Sequence, residues 1–479
     1  MFLDLETTLT LLHGKPSLLA VKNRQGRNLL QSVGPKLVML AAMVLAACAG
    51  LGKRSQADSQ ASVVIRDVTV VDVVSGTLRP HTTVIVVGSR IAGVAPSAAT
   101  AVPRGARVID GGGRFLIPGL WDMHSHSLWS PDAMETFLPL YVAQGVTGIR
   151  DMGGRLPVLA AFRDSLRRHD HPWPRVIAAG EVLDGPQPVQ ADISIPVSDA
   201  ASATVTVDSL ARAGVDFIKV YTLLPREAYF AVLAEARRVG LHVAGHVPAT
   251  VRPEDAALAG QRSIEHLRDE IEPYCSPRAA GACARLATVF RTERTWQVPT
   301  LVVLRAKAFF DDPAVTTDTR LRYMPSALRT EWLAERQAKL LRGSDYLASK
   351  RARYADEAWL TGFLAQERVP LLAGTDAGSA FSYPGFSLHD ELALLVEAGL
   401  TPLEALRAAT LSPAEYLAAR DTMGTVAVGQ VADLVLLRGN PLASIGATRE
   451  IDAVVLRGRV LDRRDLDGLL DTVAAKARK

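Results

Sequence analysis

The feature that most constrains the fold is an eightfold alternation of strand-like and helix-like segments through the middle of the chain. Short apolar, β-branched runs occur near residues 119–123, 146–150, 175–180, 216–221, 242–247, 262–266, 297–302 and 369–375. Amphipathic stretches such as PREAYFAVLAEARRVG and LHDELALLVEAG separate them. Eight strand–helix units within ~300 residues predict a parallel (β/α)8 barrel, which needs ~250 residues before insertions. An open doubly wound sheet is disfavoured because no glycine-rich phosphate loop follows the first strand.

Two β-rich segments flank the predicted barrel and are expected to pair with each other. Residues 62–115 and 420–465 contain short β-branched runs broken by Gly, Pro and Asp, so we predict a small composite β-sandwich domain formed by both. The barrel is then assigned to residues 116–419 and a C-terminal tail to residues 466–479. Residues 305–366 are too many for a loop and carry aromatic residues at helical spacing. We predict a helical insertion there, which is either a lid or a solvated excursion.

The basic charge of the chain is confined to its N-terminal region. Residues 1–60 carry seven Lys or Arg and three Asp or Glu, which accounts for the whole net charge of +4. The remainder is neutral, so the composition argues against a nucleic-acid-binding surface.

The same region resembles an export signal. Lys36 precedes an apolar run over residues 37–47 that has the length of a signal h-region, and the run ends at Cys48 in LAAC, which resembles a bacterial lipobox. We predict a lipoprotein-type signal peptide over 1–47 and a tether over 48–61. The protein would be exported to the bacterial envelope and would touch the membrane only through lipid on Cys48. A plain signal peptide or a membrane-anchoring helix with an incidental cysteine is the alternative.

Two other cysteines, Cys275 and Cys283, lie eight residues apart in a segment rich in Pro, Gly and Ala. In an oxidising compartment such a pair predicts a disulfide. Two free thiols are the alternative, and the spacing differs from that of a zinc-binding CxxC pair.

Histidines cluster at the predicted ends of three barrel strands. His124 and His126 end the first strand in GLWDMHSH, and residues i and i+2 of an extended chain face the same way. His246 ends the fifth strand and His266 ends the sixth. Because active sites of this fold lie at the C-terminal ends of the strands, these four residues are candidate metal ligands. A single strand-end histidine is more often structural, but four on three strands are hard to explain in that way.

Two further residues point to the same chemistry. Lys219 lies in the apolar strand GVDFIKVY, where a charge is costly unless it is paired or removed. Reaction with carbon dioxide would make it an anionic oxygen ligand, and pairing with a carboxylate is the alternative. Asp376 follows strand eight, where a carboxylate can ligate a metal and accept a proton or cap the next helix. Tyr221 shares the Lys219 face and is either a donor to the substrate or a core residue.

On these motifs the chain resembles the amidohydrolase superfamily, in its imidazolonepropionase-like and prolidase-like (Xaa-Pro dipeptidase-like) branch. That family places a His-x-His on strand one, a carboxylated Lys on strand four, one His on each of strands five and six, and an Asp on strand eight. The resemblance extends over RDMGG after strand two and over the segments from LHDELALL to GTVAVGQVADLVLLRGNP, so it spans nearly all of residues 62–460. The matching ligand positions are His124, His126, Lys219, His246, His266 and Asp376.

The resemblance implies a hydrolase that uses two divalent ions, and zinc is the expected metal. Asp376, a Lys219 carbamate and a bridging hydroxide would supply three negative charges against the four positive charges of the ions. Metal-bound water can have a pKa of ~7, so hydroxide would be available to attack the carbonyl of an amide or peptide bond. Asp376 would take the proton and return it to the leaving nitrogen.

We expect a small substrate, such as a dipeptide or an N-acyl amino acid with a free carboxylate. Arg150 and Tyr221 are the candidate partners of that carboxylate, since Arg can grip it through two parallel hydrogen bonds. A salt bridge within the loop is the alternative for Arg150. Two other functions stay open: hydrolysis of a cyclic amide of the imidazolone type, or of an ester or lactone, and ligand binding by a catalytically inactive surface lipoprotein. Association with further copies of the chain is also left open.

Overall fold

The structure, a computed structural model, describes residues 18–22, 28–32, 62–267, 271, 274–275 and 280–478. Residues Met1–Gln60 and Ala61–Lys479 form two compact units. In the first unit, β1 (Leu18–Lys22) and β2 (Asn28–Ser32) form an antiparallel pair. The predicted apolar signal run, Cys48 and the tether lie outside the described residues. Among the residues that are described, no helix combines the length and the hydropathy needed to cross a membrane.

An eight-stranded sheet joins the two ends of the second unit. Its strands occur in the spatial order β19, β18, β17, β7, β3, β4, β5, with β6 pairing beside β3. The two halves meet where β7 pairs antiparallel with β17, so the predicted pairing between the ends is confirmed. The strands are β3 (Ser62–Val71), β4 (Leu78–Val87), β5 (Arg90–Pro96), β6 (Arg107–Asp110), β7 (Phe115–Pro118), β17 (Leu434–Leu437), β18 (Ile451–Leu456) and β19 (Arg459–Asp462).

Parallel strands between these two halves form the predicted barrel. Short β12 (Ser194–Pro196) pairs beside the third strand, which β10 and β11 build together. The first seven barrel strands are β8 (Leu120–Ser125), β9 (Val146–Asp151), β10 (Arg175–Ala178) with β11 (Val182–Asp184), β13 (Ile218–Val220), β14 (Val243–Gly245), β15 (Ser263–Glu265) and β16 (Trp296–Val298). They lie close to the predicted positions, and the (β/α)8 fold class is confirmed.

In the position of the eighth strand, the segment 370–377 closes the barrel through a few backbone hydrogen bonds and isolated bridges. On one side, the Leu372 amide donates to the Gln297 carbonyl on β16 at 3.0 Å. On the other, the Met123 amide on β8 donates to the Ala373 carbonyl at 2.9 Å, and the Asp376 amide donates to the His124 carbonyl at 2.7 Å. The segment that carries Asp376 therefore lies directly beside the strand that carries the His-x-His motif.

Helices follow the barrel strands and cover their outer faces. The third of them shows how local sequence sets its ends: Asp199 accepts from the Ser202 amide at its start, and Gly214 ends it in a left-handed conformation with φ 79°. The helices are α1 (Pro131–Ala143), α2 (Leu156–Arg168), α3 (Ala200–Ala213), α4 (Arg226–Arg238), α5 (Pro253–Leu258), α6 (Ala280–Glu293), α7 (Leu301–Ala308), α8 (Ala314–Thr317), α9 (Ser326–Leu340), α10 (Ser344–Gln366), α11 (Phe386–Glu397), α12 (Pro402–Ala408), α13 (Leu411–Tyr416) and α14 (Arg463–Lys476).

Three regional expectations can be compared with these elements. The stretch 305–366, which we assigned to a helical insertion, contains the end of α7 and helices α8, α9 and α10. Of the residues assigned to a C-terminal tail, 466–476 belong to α14, whose buried Leu466 and Val473 pack into the core. Cys275 and Cys283 are joined by a disulfide, with an S–S distance of 2.15 Å, and both are buried.

Candidate metal centre

The six side chains predicted as metal ligands come together where the barrel strands end. The ring centroids of His124 and His266 are 4.5 Å apart, and those of His246 and His266 are 5.0 Å apart. Ligand atoms of His124, His126 and Asp376 all lie within 4.8 Å of one another. Lys219 joins them from β13: it is almost fully buried, and its charge helps to lower the pKa of His124, where burial is the main cause.

Hydrogen bonds fix which nitrogen of His124 and His126 faces the centre. Nδ1 of His124 lies 2.7 Å from a carboxylate oxygen of Glu265, and Nδ1 of His126 lies 3.0 Å from the Gly153 carbonyl. Both partners are acceptors, so both Nδ1 atoms carry the proton. The two Nε2 atoms therefore present lone pairs, which is the form that binds a metal ion.

His246 and His266 are held in a similar way. Nδ1 of His246 is 2.8 Å from the hydroxyl of Thr222, and Nδ1 of His266 is 2.7 Å from the hydroxyl of Thr300. In each ring a protein partner occupies Nδ1. The four histidines thus share one arrangement, in which Nδ1 is bonded to the barrel or to a loop that follows one of its strands.

Asp376 places a carboxylate oxygen between two of these lone pairs. Its Oδ1 lies 3.4 Å from Nε2 of His124 and 3.2 Å from Nε2 of His126, while its Oδ2 accepts from the hydroxyl of Ser379 at 2.9 Å.

This cluster of donor atoms fits a divalent cation. Nε2 of His124 is buried and makes no hydrogen bond to any residue that the structure describes. Lone pairs and an anionic oxygen that converge in a buried site repel one another unless a cation lies between them. The residues present can therefore hold a metal ion, with imidazole and carboxylate ligands of the kind that zinc prefers.

Tyr221 lies beside the cluster, on the face that the sequence predicted. Its ring stacks on His246 with 4.0 Å between centroids, and the Nζ of Lys219 is 5.8 Å from the centre of that ring. The Tyr221 hydroxyl is also 3.5 Å from the side-chain amide nitrogen Nε2 of Gln190, in the loop after β11. The phenol thus lies between the metal ligands and the mouth of the barrel.

Arg150 is not the rim residue that we expected. It is fully buried inside the barrel, and all five of its N–H groups are used. Nε donates to the Met123 carbonyl at 2.6 Å, and Nη1 donates to Ser263 and Tyr416 at 2.9 and 2.7 Å. Nη2 donates to both carboxylate oxygens of Glu265, at 2.8 and 3.0 Å. No donor is left to grip a substrate carboxylate, so the predicted substrate-binding role of Arg150 is wrong.

Glu265 is a functional residue that the sequence reasoning missed. One of its oxygens orients His124 while both accept from Arg150. Although burial opposes ionisation, Arg150 and His124 hold the pKa of Glu265 at about 2. Glu265 is a charged residue inside the short buried strand SIE. The same feature, a charge in an apolar strand, pointed to Lys219 and could have pointed to Glu265.

Asp122 was missed as well. It is fully buried, accepts from the hydroxyl of Thr375 at 2.6 Å, and so links the first strand to the eighth. Burial raises the pKa of Asp122 to about 7 despite these hydrogen bonds. Asp122, His124 and His126 lie at i, i+2 and i+4, so the alternation that selected the two histidines also pointed to Asp122.

The helical insertion packs against the loop that carries Asp376. Trp332 of α9 lies 5.5 Å from both Phe381 and Tyr383, measured between ring centroids. Phe310, just after α7, lies 5.8 Å from Phe381. The insertion therefore supports, through aromatic packing, the loop on one side of the candidate metal centre.

The sequence model of the amidohydrolase family matches residues 115–461. This is well over half of the chain, so the chain belongs to the amidohydrolase family, whose members are hydrolases acting on carbon–nitrogen bonds. The imidazolonepropionase of Deinococcus deserti is 26% identical over 365 residues, covering 72% of this chain and 83% of that protein. The adenine deaminase of Rubrobacter xylanophilus is 39% identical over 98 residues, but the match covers only 20% of this chain and 16% of the deaminase.

Solved structures share the fold over most of the chain. A bottromycin amidohydrolase is 29% identical with a TM-score of 0.69, covering 87% of this chain and 90% of that chain. A Xaa-Pro dipeptidase with methionine bound in its active site is 20% identical with a TM-score of 0.66, covering 84% of this chain and all of that chain. The predicted imidazolonepropionase-like and prolidase-like branch is confirmed.

The buried position of Arg150 leads to a prediction about stability. Arg150→Met should lower the free energy of unfolding by about 3–5 kcal/mol, because it leaves the Glu265 carboxylate buried without its cation. Arg163→Met is the control: its pair with Asp216 is about one-third exposed, so its loss should cost at most about 1 kcal/mol. Chemical denaturation measures both. An Arg150→Met protein with wild-type stability and a higher KM only for substrates with a free carboxylate would restore the rim role.

Proposed function

We propose that the protein is a binuclear metal-dependent amidohydrolase that cleaves the amide bond of a small peptide or N-acyl amino acid. The observation that carries the proposal is the convergence of imidazole Nε2 atoms on the Asp376 carboxylate, with Lys219 buried beside them. A ligand-binding protein without catalytic activity would not need all six candidate metal ligands.

The ligands are assigned to two ions. His124, His126 and Asp376 would hold one ion, since their ligand atoms lie within 4.8 Å of one another. His246 and His266 would hold a second, and a carbamate on Lys219 would bridge the two. Zinc is the metal proposed because imidazole and carboxylate suit it and because it favours low coordination numbers that leave a position open.

Ions bound there would lower the pKa of a water molecule and polarise the substrate carbonyl. Asp376 can then accept the water proton and deliver it to the leaving nitrogen, while Ser379 donates a hydrogen bond to one of its carboxylate oxygens. Tyr221 can donate a hydrogen bond to the carbonyl or to a carboxylate of the substrate from its place above His246.

The substrate class is supported by the neighbours and by the depth of the centre. All six ligands are buried or nearly so, which suits a short substrate that can reach the bottom of the mouth. The dipeptidase of similar fold holds an amino acid in its active site. Sequence similarity to an imidazolonepropionase over most of the chain favours a cyclic amide as the second candidate substrate.

We also propose that the protein is exported and is anchored through lipid on Cys48. The disulfide between Cys275 and Cys283 supports this, because such bonds persist in oxidising compartments and are rare in the cytosol.

A substrate screen tests the proposed reaction. Purified protein should hydrolyse members of dipeptide and N-acyl amino acid libraries. Amidation of their carboxyl group should raise KM, because the substrate would then have no carboxylate to accept a hydrogen bond from Tyr221. Release of the free amino acid measures turnover. Activity confined to cyclic amides, esters or lactones would select the second candidate, and no turnover with metal present would contradict the proposal.

Metal content tests the role of Lys219. The purified protein should contain about two divalent ions per chain by elemental analysis, and Lys219→Ala should lose at least one, because the bridging carbamate can no longer form. Lys476→Ala, on the surface of α14, is the matched control and should keep both ions. Wild-type metal content and activity in Lys219→Ala would exclude the carbamate.

Substitution of Asp376 tests the proton transfer. Asp376→Asn keeps the shape of the side chain but cannot accept the proton, so kcat should fall by ~10²–10⁴-fold. Metal content measured on the same sample separates this effect from the loss of a ligand. Asp345→Asn, at the exposed start of α10, should leave kcat unchanged. An Asp376→Asn enzyme with normal kcat would mean that Asp376 only shapes the loop.

A further inference from the structure

The helix that follows barrel strand seven begins in an unusual way. Thr300 immediately precedes α7, but its backbone is left-handed, with φ 51° and ψ 44°, and its side chain makes no capping hydrogen bond to that helix. Threonine at this position ordinarily accepts from an amide in the first helical turn. Here the Thr300 hydroxyl is instead 2.7 Å from Nδ1 of His266.

The missing cap is supplied from a distant part of the chain. Glu391, in the middle of α11, is fully buried and accepts a hydrogen bond from the Val302 amide at 2.8 Å. Val302 is the second residue of α7, so Glu391 occupies the place where a capping side chain normally lies. The acceptor for the first turn thus comes from the helix after strand eight.

A buried acid is a costly way to cap a helix, since a small polar residue at the start of the helix would do the same locally. Burial raises the pKa of Glu391 to about 8, so the carboxyl group is largely neutral at pH 7 and accepts through its carbonyl oxygen. The arrangement is understandable if the hydroxyl of Thr300 is needed elsewhere. Its partner His266 is one of the proposed ligands, and a fixed partner on Nδ1 sets the direction of Nε2.

We propose that Glu391 is a positioning residue for the metal centre. By capping α7 it releases Thr300 to hold the His266 ring, and the chain of contacts Glu391, α7, Thr300 and His266 keeps Nε2 directed at the metal. The proposal rests on the assignment of His266 as a ligand. The helix after strand eight, which carries Glu391, would in this way help to orient a proposed ligand that follows strand six.

Zinc affinity of the metal-depleted protein, measured by competition with a fluorescent chelator, tests this directly. Glu391→Met has a similar volume and no comparable acceptor, so the weaker site should lose affinity by roughly tenfold, the low end of the effect of removing partners of ligating histidines. Thr300→Val should produce a similar loss. The double variant should be no weaker than Thr300→Val alone, since the two contacts act in series. Glu391→Gln keeps a neutral acceptor and should retain wild-type affinity.

A matched control separates positioning from simple stabilisation. Glu404→Ala removes a carboxylate that caps the exposed start of α12, so it should lower Tm without changing zinc affinity. Wild-type zinc affinity in Glu391→Met, additive losses in the double variant, or an equal loss in Glu404→Ala would overturn the proposal. If Glu391→Met does not fold, Glu391→Asp, which shortens the reach of the carboxyl group, should weaken zinc binding, and wild-type affinity there would overturn it. A wild-type protein that binds no metal would contradict the proposed function itself.

Discussion

The contact between Glu265 and His124 is the interaction on which the centre depends most. The carboxylate accepts from Nδ1 of His124 and from both Nη2 hydrogens of Arg150, within the buried interior of the barrel. A buried carboxylate is tolerable there only because the guanidinium is fully paired with it and with three other acceptors. The ion pair therefore does two things at once. It offsets the cost of burying a charge, and it determines which nitrogen of His124 is available to a metal ion.

Backbone strain gathers at the same place. His266, Thr300 and Asp376 all have φ between 51° and 75°, a conformation that residues other than glycine rarely adopt. Each is held by neighbours: the His266 amide donates to the Val298 carbonyl at 2.8 Å, the Asp376 amide donates to the His124 carbonyl, and Thr300 bonds His266. Such strain persists only where surrounding contacts over-determine the conformation, and it concentrates at functional sites. The strained positions redirect side chains at the ends of strands, where simple alternation would turn them away.

This explains what could be read from the sequence and what could not. The barrel follows from local strand periods, and the strand-end histidines and a lysine in an apolar strand are visible in the sequence. The full set of six ligand positions came from the resemblance to amidohydrolases. Glu265 and Asp122 carried comparable signals and were overlooked because no metal role was attached to them. The direction of the Arg150 side chain could not be predicted from the sequence. Whether a strand-end arginine turns outward to the mouth or inward depends on partners at residues 263, 265 and 416, which only the closed barrel brings together. Glu391 was equally hidden, because its partner lies 89 residues earlier in the chain.

The distribution of these contacts separates the chemistry from the choice of substrate. Every proposed histidine ligand is tied through Nδ1 to a strand or to the second residue after a strand, so the barrel itself fixes the centre. The groups that would meet the rest of a substrate lie on loops. Tyr221 contacts Gln190, and a single buried carboxylate, Asp184, accepts from the amides of Val189 and Leu223 and so joins the loops after strands three and four. The insertion packs on the loop after strand eight. Changes at loop positions that do not touch the ligands, such as Gln190, would alter which substrate reaches the proposed centre without disturbing the contacts that hold the histidine rings. That separation is a physical reason why proteins of one fold can include an imidazolonepropionase, a Xaa-Pro dipeptidase and a bottromycin amidohydrolase.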